Sequence, residues 1–448
     1  MKIVNLSKIG ILTLAVATIT LGSCKKKGCT DPLANNYNEK AKKDDGTCAF
    51  DPVISETEER VSGTITSNTT WTSDMIYILD GKVVVDGGAT LTIEAGTIIK
   101  GEEGAGTNAS ALIIARGSKI TAVGTAVSPI IFTSILDNID IGQTSGTNLD
   151  ENDRGKWGGL IVLGNAKVST ADGDTEGQIE GIPATETYGT YGGSNDADNS
   201  GSLSYISIRH GGALIGAGNE INGLTLGGVG TGTTISNIEI LGNVDDGIEF
   251  FGGSVNVSNV VVAYQGDDGI DIDQNYSGTV NNFIVVHGVD TDEALEIDGP
   301  EGITYTTGAF TLSNGTCKTS DGIGSGSDMK SGAQGNLINI SWEGYASNSI
   351  KFRASFSDTT LCTDKADAYL NLTTGSLNVT TCNIVGGTLV DQVDVYTKSY
   401  IDSGNDICTA PLESTAESTV DATIVGSPTV GANSSSFTWT WTSINGKL

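Results

Sequence analysis

Three short acidic strings hold the residues most able to do chemistry. Asp245-Asp246-Gly247-Ile248-Glu249 recurs as Asp267-Asp268-Gly269-Ile270-Asp271 and, more loosely, as Asp292-Glu293-Ala294-Leu295-Glu296. Their spacings, 22 and then 25 residues, are those of one turn of a repeat architecture. If each turn returns a strand to the same edge, equivalent residues of neighbouring turns lie ~4.8 Å apart. Two carboxylates at that distance repel by roughly 1 kcal/mol in water and several times more near a protein surface. Between His210 and Cys317 there are fifteen Asp and Glu and no Lys or Arg, so no local protein charge is expected to balance them. Calcium takes six to eight oxygen ligands in loose geometry and is the expected counter-ion of Asp245, Asp246, Glu249, Asp267, Asp268, Asp271, Asp292, Glu293 and Glu296. The plainer reading is that Asp and Gly mark corners, where Asp side chains bond nearby amides. Three repeats together favour the ion.

Holding such columns in line requires stacked strands. From Gly81 onward the chain runs in short β-branched stretches punctuated by Gly: Lys82 to Val85, Leu91 to Glu94, Ile98 to Lys100, Ala111 to Ala115, Lys119 to Val123, Pro129 to Thr133. Such runs are strands, and three to a turn predict an all-β, right-handed parallel β-helix in which every turn buries its apolar side chains against its neighbours. Further turns are expected at Gly159 to Gly164, Ser204 to Ile208, Gly223 to Leu226 and Asn336 to Ile340. No stretch beyond the N-terminal apolar run carries a helical period, so no other helix is expected. The coil is expected over 61–448, interrupted by insertions near 137–156 and 169–202, and long loops on a rigid solenoid commonly carry function.

The second insertion contains Asp172-Gly173-Asp174-Thr175-Glu176-Gly177 and Asp196-Ala197-Asp198-Asn199-Ser200-Gly201, each resembling the opening of a calcium loop. The twelfth positions are Pro183 and Ser207, so an EF-hand fails and only a looser site at Asp172, Asp174 and Glu176, or at Asp196, Asp198 and Ser200, stays open. Tyr188 and Tyr191 in the same loop are candidates for stacking on sugar rings.

Residues 1–23 read as a secretion signal, with Lys2 and Lys8 ahead of an apolar run from Ile9 to Leu21. Leu21-Gly22-Ser23-Cys24 resembles a bacterial lipobox, which implies cleavage before Cys24, its acylation, and attachment to the outer membrane by lipid, with the cell surface the expected face. Six cysteines remain in an exported chain, so disulfides are expected. Cys29 and Cys48 bracket a module at 24–52 that resembles the C-T-D-P-x-A-x-N-Y…D-D-G-x-C unit of Bacteroidota surface proteins, and they are expected to pair. Cys317, Cys362, Cys382 and Cys408 allow three pairings. A net charge of −30 excludes nucleic acid and anionic lipid surfaces as partners by repulsion.

The strings Gly88 to Thr97, Trp157-Gly158-Gly159-Leu160-Ile161, Ile208-Arg209-His210-Gly211-Gly212 and Phe437 to Trp441 resemble a family of β-helix lipoproteins of Bacteroidota, which implies fold and compartment with no reaction attached. The acidic turns separately resemble polygalacturonases. That likeness implies Asp246, Asp267 and Asp268 as catalytic carboxylates and His287 as their histidine, with Lys351-Phe352-Arg353 in place of a basic pair. Yet His287 lacks a preceding Gly, and the Lys and Arg stand far downstream in reversed order. The primary reading is therefore a calcium-stabilised, lipid-anchored binding or adhesion scaffold with a glycan or an outer-membrane protein as partner. Its alternatives are a hydrolase or lyase acting on an acidic glycan, and an accessory subunit of an outer-membrane complex.

Overall fold

A computed structural model describes residues 26–32, 34–49, 57–215, 221–358, 363–364, 367–397 and 409–448. The signal segment and Cys24 lie outside the described residues, as do Cys362 and Cys408. The chain divides into two compact units, 1–56 and 57–448. Within the first, Cys29 and Cys48 form a disulfide, and the Asn36 side chain spans the turn between them, accepting from Ala49 N at 2.8 Å and donating to Thr47 O.

The second unit is a right-handed parallel β-helix in which, among the described residues, 25 strands join in one continuous sheet. The first insertion adds no strand to it, and the second folds a separate antiparallel pair, Glu176–Gln178 and Thr190–Gly192. Seven strands stack to form the face that carries the acids: β1 (Leu224–Gly227), β2 (Ile248–Phe251), β3 (Ile270–Asp273), β4 (Leu295–Ile297), β5 (Asp328–Met329), β6 (Ile350–Ala354) and β7 (Val393–Thr397). Alternate residues point inward: Leu224, Leu226, Ile248, Phe250, Ile270, Ile272, Leu295, Ile297, Ile350, Phe352, Val393 and Val395 are all fully buried. Each buried side chain of this size contributes ~1.5–3 kcal/mol, and a one-residue slip would turn the whole set outward. That penalty fixes the register, and with it the outward column.

A second stack, Gly201–Arg209, Thr234–Leu241, Asn256–Ala263, Thr279–Val286, Phe310–Lys318 and Gly335–Glu343, is paired in register throughout. Each strand bends at one residue in the left-handed region: Tyr205, Asn237, Asn259, Asn282, Asn314 and Asn339, with φ between 52° and 59°. Asn tolerates that conformation because its short amide bonds locally. Here it also bonds vertically: Asn259 Nδ2 donates to Asn237 Oδ1 at 3.1 Å, Asn282 Nδ2 to Asn259 Oδ1 at 2.7 Å, and Asn339 Nδ2 to Asn314 Oδ1 at 3.1 Å.

Residues 429–448 run back over this second stack. Thr429 N donates to Asn383 Oδ1, Ala432 N to Thr316 Oγ1, Asn433 N to Asn282 Oδ1, and Trp441 N and Thr442 N to the two Glu239 oxygens. Phe437 and Trp441 cover an outward apolar patch of Leu241, Val261, Ala263 and Ile284. Glu239 is fully buried, with Arg209 3.8 Å away.

Two expectations are corrected. Cys317 and Cys382 are free, buried thiols, both packed in the main hydrophobic core. Helices also occur, at Ala368–Thr374 and Thr409–Thr419. The first is fixed by local capping, since the Asp367 side chain accepts from Ala368 N and Gly375 closes the end at φ 82°. Among the described residues no helix is long and apolar enough to cross a membrane.

Candidate metal centre and adjoining cleft

The strand register converts the three acidic strings into three vertical columns. Thr225, Glu249, Asp271, Glu296, Asp328, Lys351 and Asp394 succeed one another on the outer side of β1 to β7. Beside them stand Asp246, Asp268 and Glu293, linked through the backbone: Asp268 N donates to Asp246 Oδ1 at 2.9 Å, and Glu293 N to Asp268 Oδ1 at 2.7 Å. Asp267 and Asp292 form an exposed rim with half-buried Asp245. The doublets therefore divide their labour, the first acid facing solvent and the second bonded into the next coil.

Carboxylate oxygens converge to within 4.8 Å in three groups: Asp245, Asp246 and Asp267; Asp246, Glu249 and Asp271; Asp268, Glu293 and Glu296. The second group is the most enclosed, with Asp246, Glu249 and Asp271 only 7%, 6% and 6% exposed. Asp271 Oδ1 is buried without a hydrogen-bond partner, a costly state unless something else satisfies it. Burial, and then the neighbouring acids, hold Asp246, Glu249, Asp268 and Asp271 well above the ordinary carboxylate range. An all-oxygen donor set of this density fits a hard divalent cation.

At the other end of the columns the counter-charge is protein, which corrects the expectation that none is nearby. Lys351 pairs with Glu293 and, at 3.4 Å, with Asp328; Arg353 pairs with Asp328; Lys330 reaches Glu296 at 2.6 Å and Asp298 at 3.2 Å. Lys351 is 58 residues from Glu293 in sequence, yet only two coils away in space. Ser325 Oγ completes Glu293 at 2.9 Å. The stacked Tyr396 ring lies under both Lys351 and Arg353.

His287, the candidate catalytic histidine, is 5% exposed and packs edge-on against Tyr345, whose hydroxyl sits 3.0 Å from Nε2. Burial pushes its pKa down to about 4. It is a buried corner residue held by Tyr345. Asp246 and Asp268 are buried and bonded to backbone, which leaves exposed Asp267 as the carboxyl of that trio open to a glycosidic oxygen.

The 169–202 insertion folds beside the columns. Tyr191, expected to meet sugar, is 2% exposed, packs on Phe251 and donates to Gln274 Oε1 at 3.0 Å, so its ring is unavailable. Tyr188 is half-buried against the same small core. Asp196 is paired with Lys167 at 2.5 Å, and its carbonyl is held by Thr231 N; Asp198 accepts from Ser200 Oγ at 3.2 Å. This string is a clasp onto the coil. Asp172, Asp174 and Glu176 line an open cleft of about 700 Å³ between insertion and coil, with Gln274 and Glu301 on the far side, and Arg116 pairs with Glu176. Neither loop brings three carboxylates into one of the convergent groups found among the described residues.

Two residues at the centre carried no signal in the sequence. Asn222 is 1% exposed and its Nδ2 donates both to Glu249 Oε2 and to Glu180 Oε1, the latter at 3.4 Å. Glu180 stands in the insertion, outside any motif.

A family model described as a pectate-lyase-like β-helix domain matches residues 63–442. No curated protein and no solved structure matches the chain.

Proposed function

Because the chain belongs to the pectate-lyase-like β-helix family, we propose that it is a calcium-stabilised β-helix scaffold, lipid-anchored through Cys24 at the outer surface of an outer membrane, that presents its insertions to a glycan or protein partner. One observation carries the calcium reading: Asp246, Glu249 and Asp271 converge within 4.8 Å in a buried site. Calcium there would be held by those three residues and would supply fixed positive charge between coils. The lipobox-like Leu21-Gly22-Ser23-Cys24 and the Cys29–Cys48 module support the anchor and compartment. Elemental analysis of protein purified without chelator is expected to find calcium, and adding chelator is expected to lower the melting temperature. Protein lacking bound metal, with melting indifferent to calcium, would overturn the reading. Intact-mass analysis of the membrane fraction is expected to find the chain starting at an acylated Cys24.

A second reading, cleavage of an acidic glycan, is favoured by the position of Lys330, Lys351 and Arg353 on the same face as the acids. Their existing ion pairs weigh against it, because a carboxylate partner keeps a Lys or Arg protonated when a base must be neutral, and occupies the cation a substrate clamp would use. Release of unsaturated or reducing ends from polygalacturonate by the wild type, lost in Asp267→Asn, would establish it.

A further inference from the structure

The residues around Glu249 deepen the calcium reading, and the role assigned to them rests on it. Asn222 precedes β1, and its amide nitrogen donates to a carboxylate on the coil, Glu249, and to one on the insertion, Glu180. Its oxygen Oδ1 is buried without a partner, as is Asp271 Oδ1. A side-chain amide has a donor end and an acceptor end that exchange by a half-turn about one bond. With no cation at the site, the donor end must face the two carboxylates, since the acceptor end would add a third negative oxygen. With a cation at Asp246, Glu249 and Asp271, the preference inverts: the acceptor end becomes a ligand, and Glu180 is drawn to the metal in place of the lost N–H.

We propose that Glu180 and the Asn222 amide oxygen complete the coordination of a calcium ion held by Asp246, Glu249 and Asp271, so that the ion fastens the 169–202 insertion to the coil. Four carboxylates and one amide oxygen fall just short of the six to eight donors calcium takes, leaving about one to three positions for water. The cleft lined by Asp172, Glu176, Gln274 and Glu301 lies between the parts so joined, and its width becomes a function of occupancy. Glu180 belongs to no acidic doublet, and its role follows from the fold of the insertion alone.

The test uses the full chain, calcium chloride as the probe, titration calorimetry for affinity and limited proteolysis for the insertion. Wild type is expected to bind calcium and to resist cleavage within 169–202 only when calcium is present. Glu180→Gln is expected to weaken calcium ~10–100-fold, the range found when residues supporting a metal site are removed, and to leave the insertion cleavable at calcium levels that protect wild type. Asn222→Asp, which keeps an oxygen in place, is expected to retain protection, whereas Asn222→Leu loses it. Wild-type affinity and protection in Glu180→Gln would overturn this inference while leaving the calcium scaffold standing. Failure of wild type itself to bind calcium would overturn both.

Discussion

The two ends of the acidic face solve one electrostatic problem in two ways. At Glu293, Glu296, Asp298 and Asp328, three basic side chains from later coils lie among the acids. At Asp246, Glu249 and Asp271, one coil and two coils earlier, the neighbours are more acids, an amide and backbone N–H groups. Both ends belong to one stack of strands in one continuous register. The difference shows that a β-helix can neutralise a charge column by sequence, at residues tens of positions away, or leave it to an ion. A self-neutralised end is stable in any medium; the other end ties stability to a solute.

The largest effect is expected at the neutralised end. Lys351→Ala would leave buried Glu293 without its cation, while Asp328 keeps Arg353, and breaking a buried pair costs about 3–5 kcal/mol. Denaturant unfolding should show that loss with or without calcium; a change below about 1 kcal/mol would erase the contrast between the ends. Asp271→Asn at the other end should do the reverse, raising metal-free stability while removing the calcium response. A ligand bound by the native state alone contributes ~2.7 kcal/mol at a hundredfold excess over its Kd, and that increment should vanish from the variant's melting curves.

A pH series separates the ends further. Asp246, Glu249, Asp268 and Asp271 have folded values raised above their unfolded ones, so the native state holds their protons more tightly. Their contribution is complete below the ordinary carboxylate range near pH 4 and is lost as pH climbs towards the folded values. Metal-free protein should therefore melt higher at pH 5 than at pH 8. With calcium present the order should weaken or reverse, because the ion competes with those protons. Identical metal-free melting at both pH values would show that the acids are solvated. The smallest effect is expected at Asp196→Asn, where the exposed pair with Lys167 is worth about 1 kcal/mol or less and calcium affinity should not change. A large loss of affinity there would restore the insertion loop as an ion site.

The fold and the acidic columns were legible because both are periodic. β-Branched runs between glycines announce strands, and the spacing of the doublets announces turns. The neutralisation was illegible for a physical reason: Lys351 and Arg353 look remote along the chain, and insertions of unequal length between turns conceal that β6 lies two strands beyond β4. Asn222 and Glu180 were invisible because neither repeats, and their meeting depends on how one insertion folds. Tyr191 misled because an aromatic residue in a long loop looks exposed until the loop is given a core of its own. The asparagine column, spaced 22 and 23 residues at Asn237, Asn259 and Asn282, was as periodic as the acids and could have been found by the same search.

The run of residues 429–448 over the second stack bears on how the molecule is made. In a solenoid each coil contacts only its neighbours, so folding can nucleate at one coil and propagate to the next. Glu239 breaks that locality: its carboxylate is matched by N–H groups more than two hundred residues later, at Trp441 and Thr442. During synthesis the coil bearing Glu239 can close early, but its buried acid has only Arg209 and Ser207 for company until the distant segment emerges. The buried acid of that coil therefore gains its full set of hydrogen bonds only once residues 429–448 have docked on it.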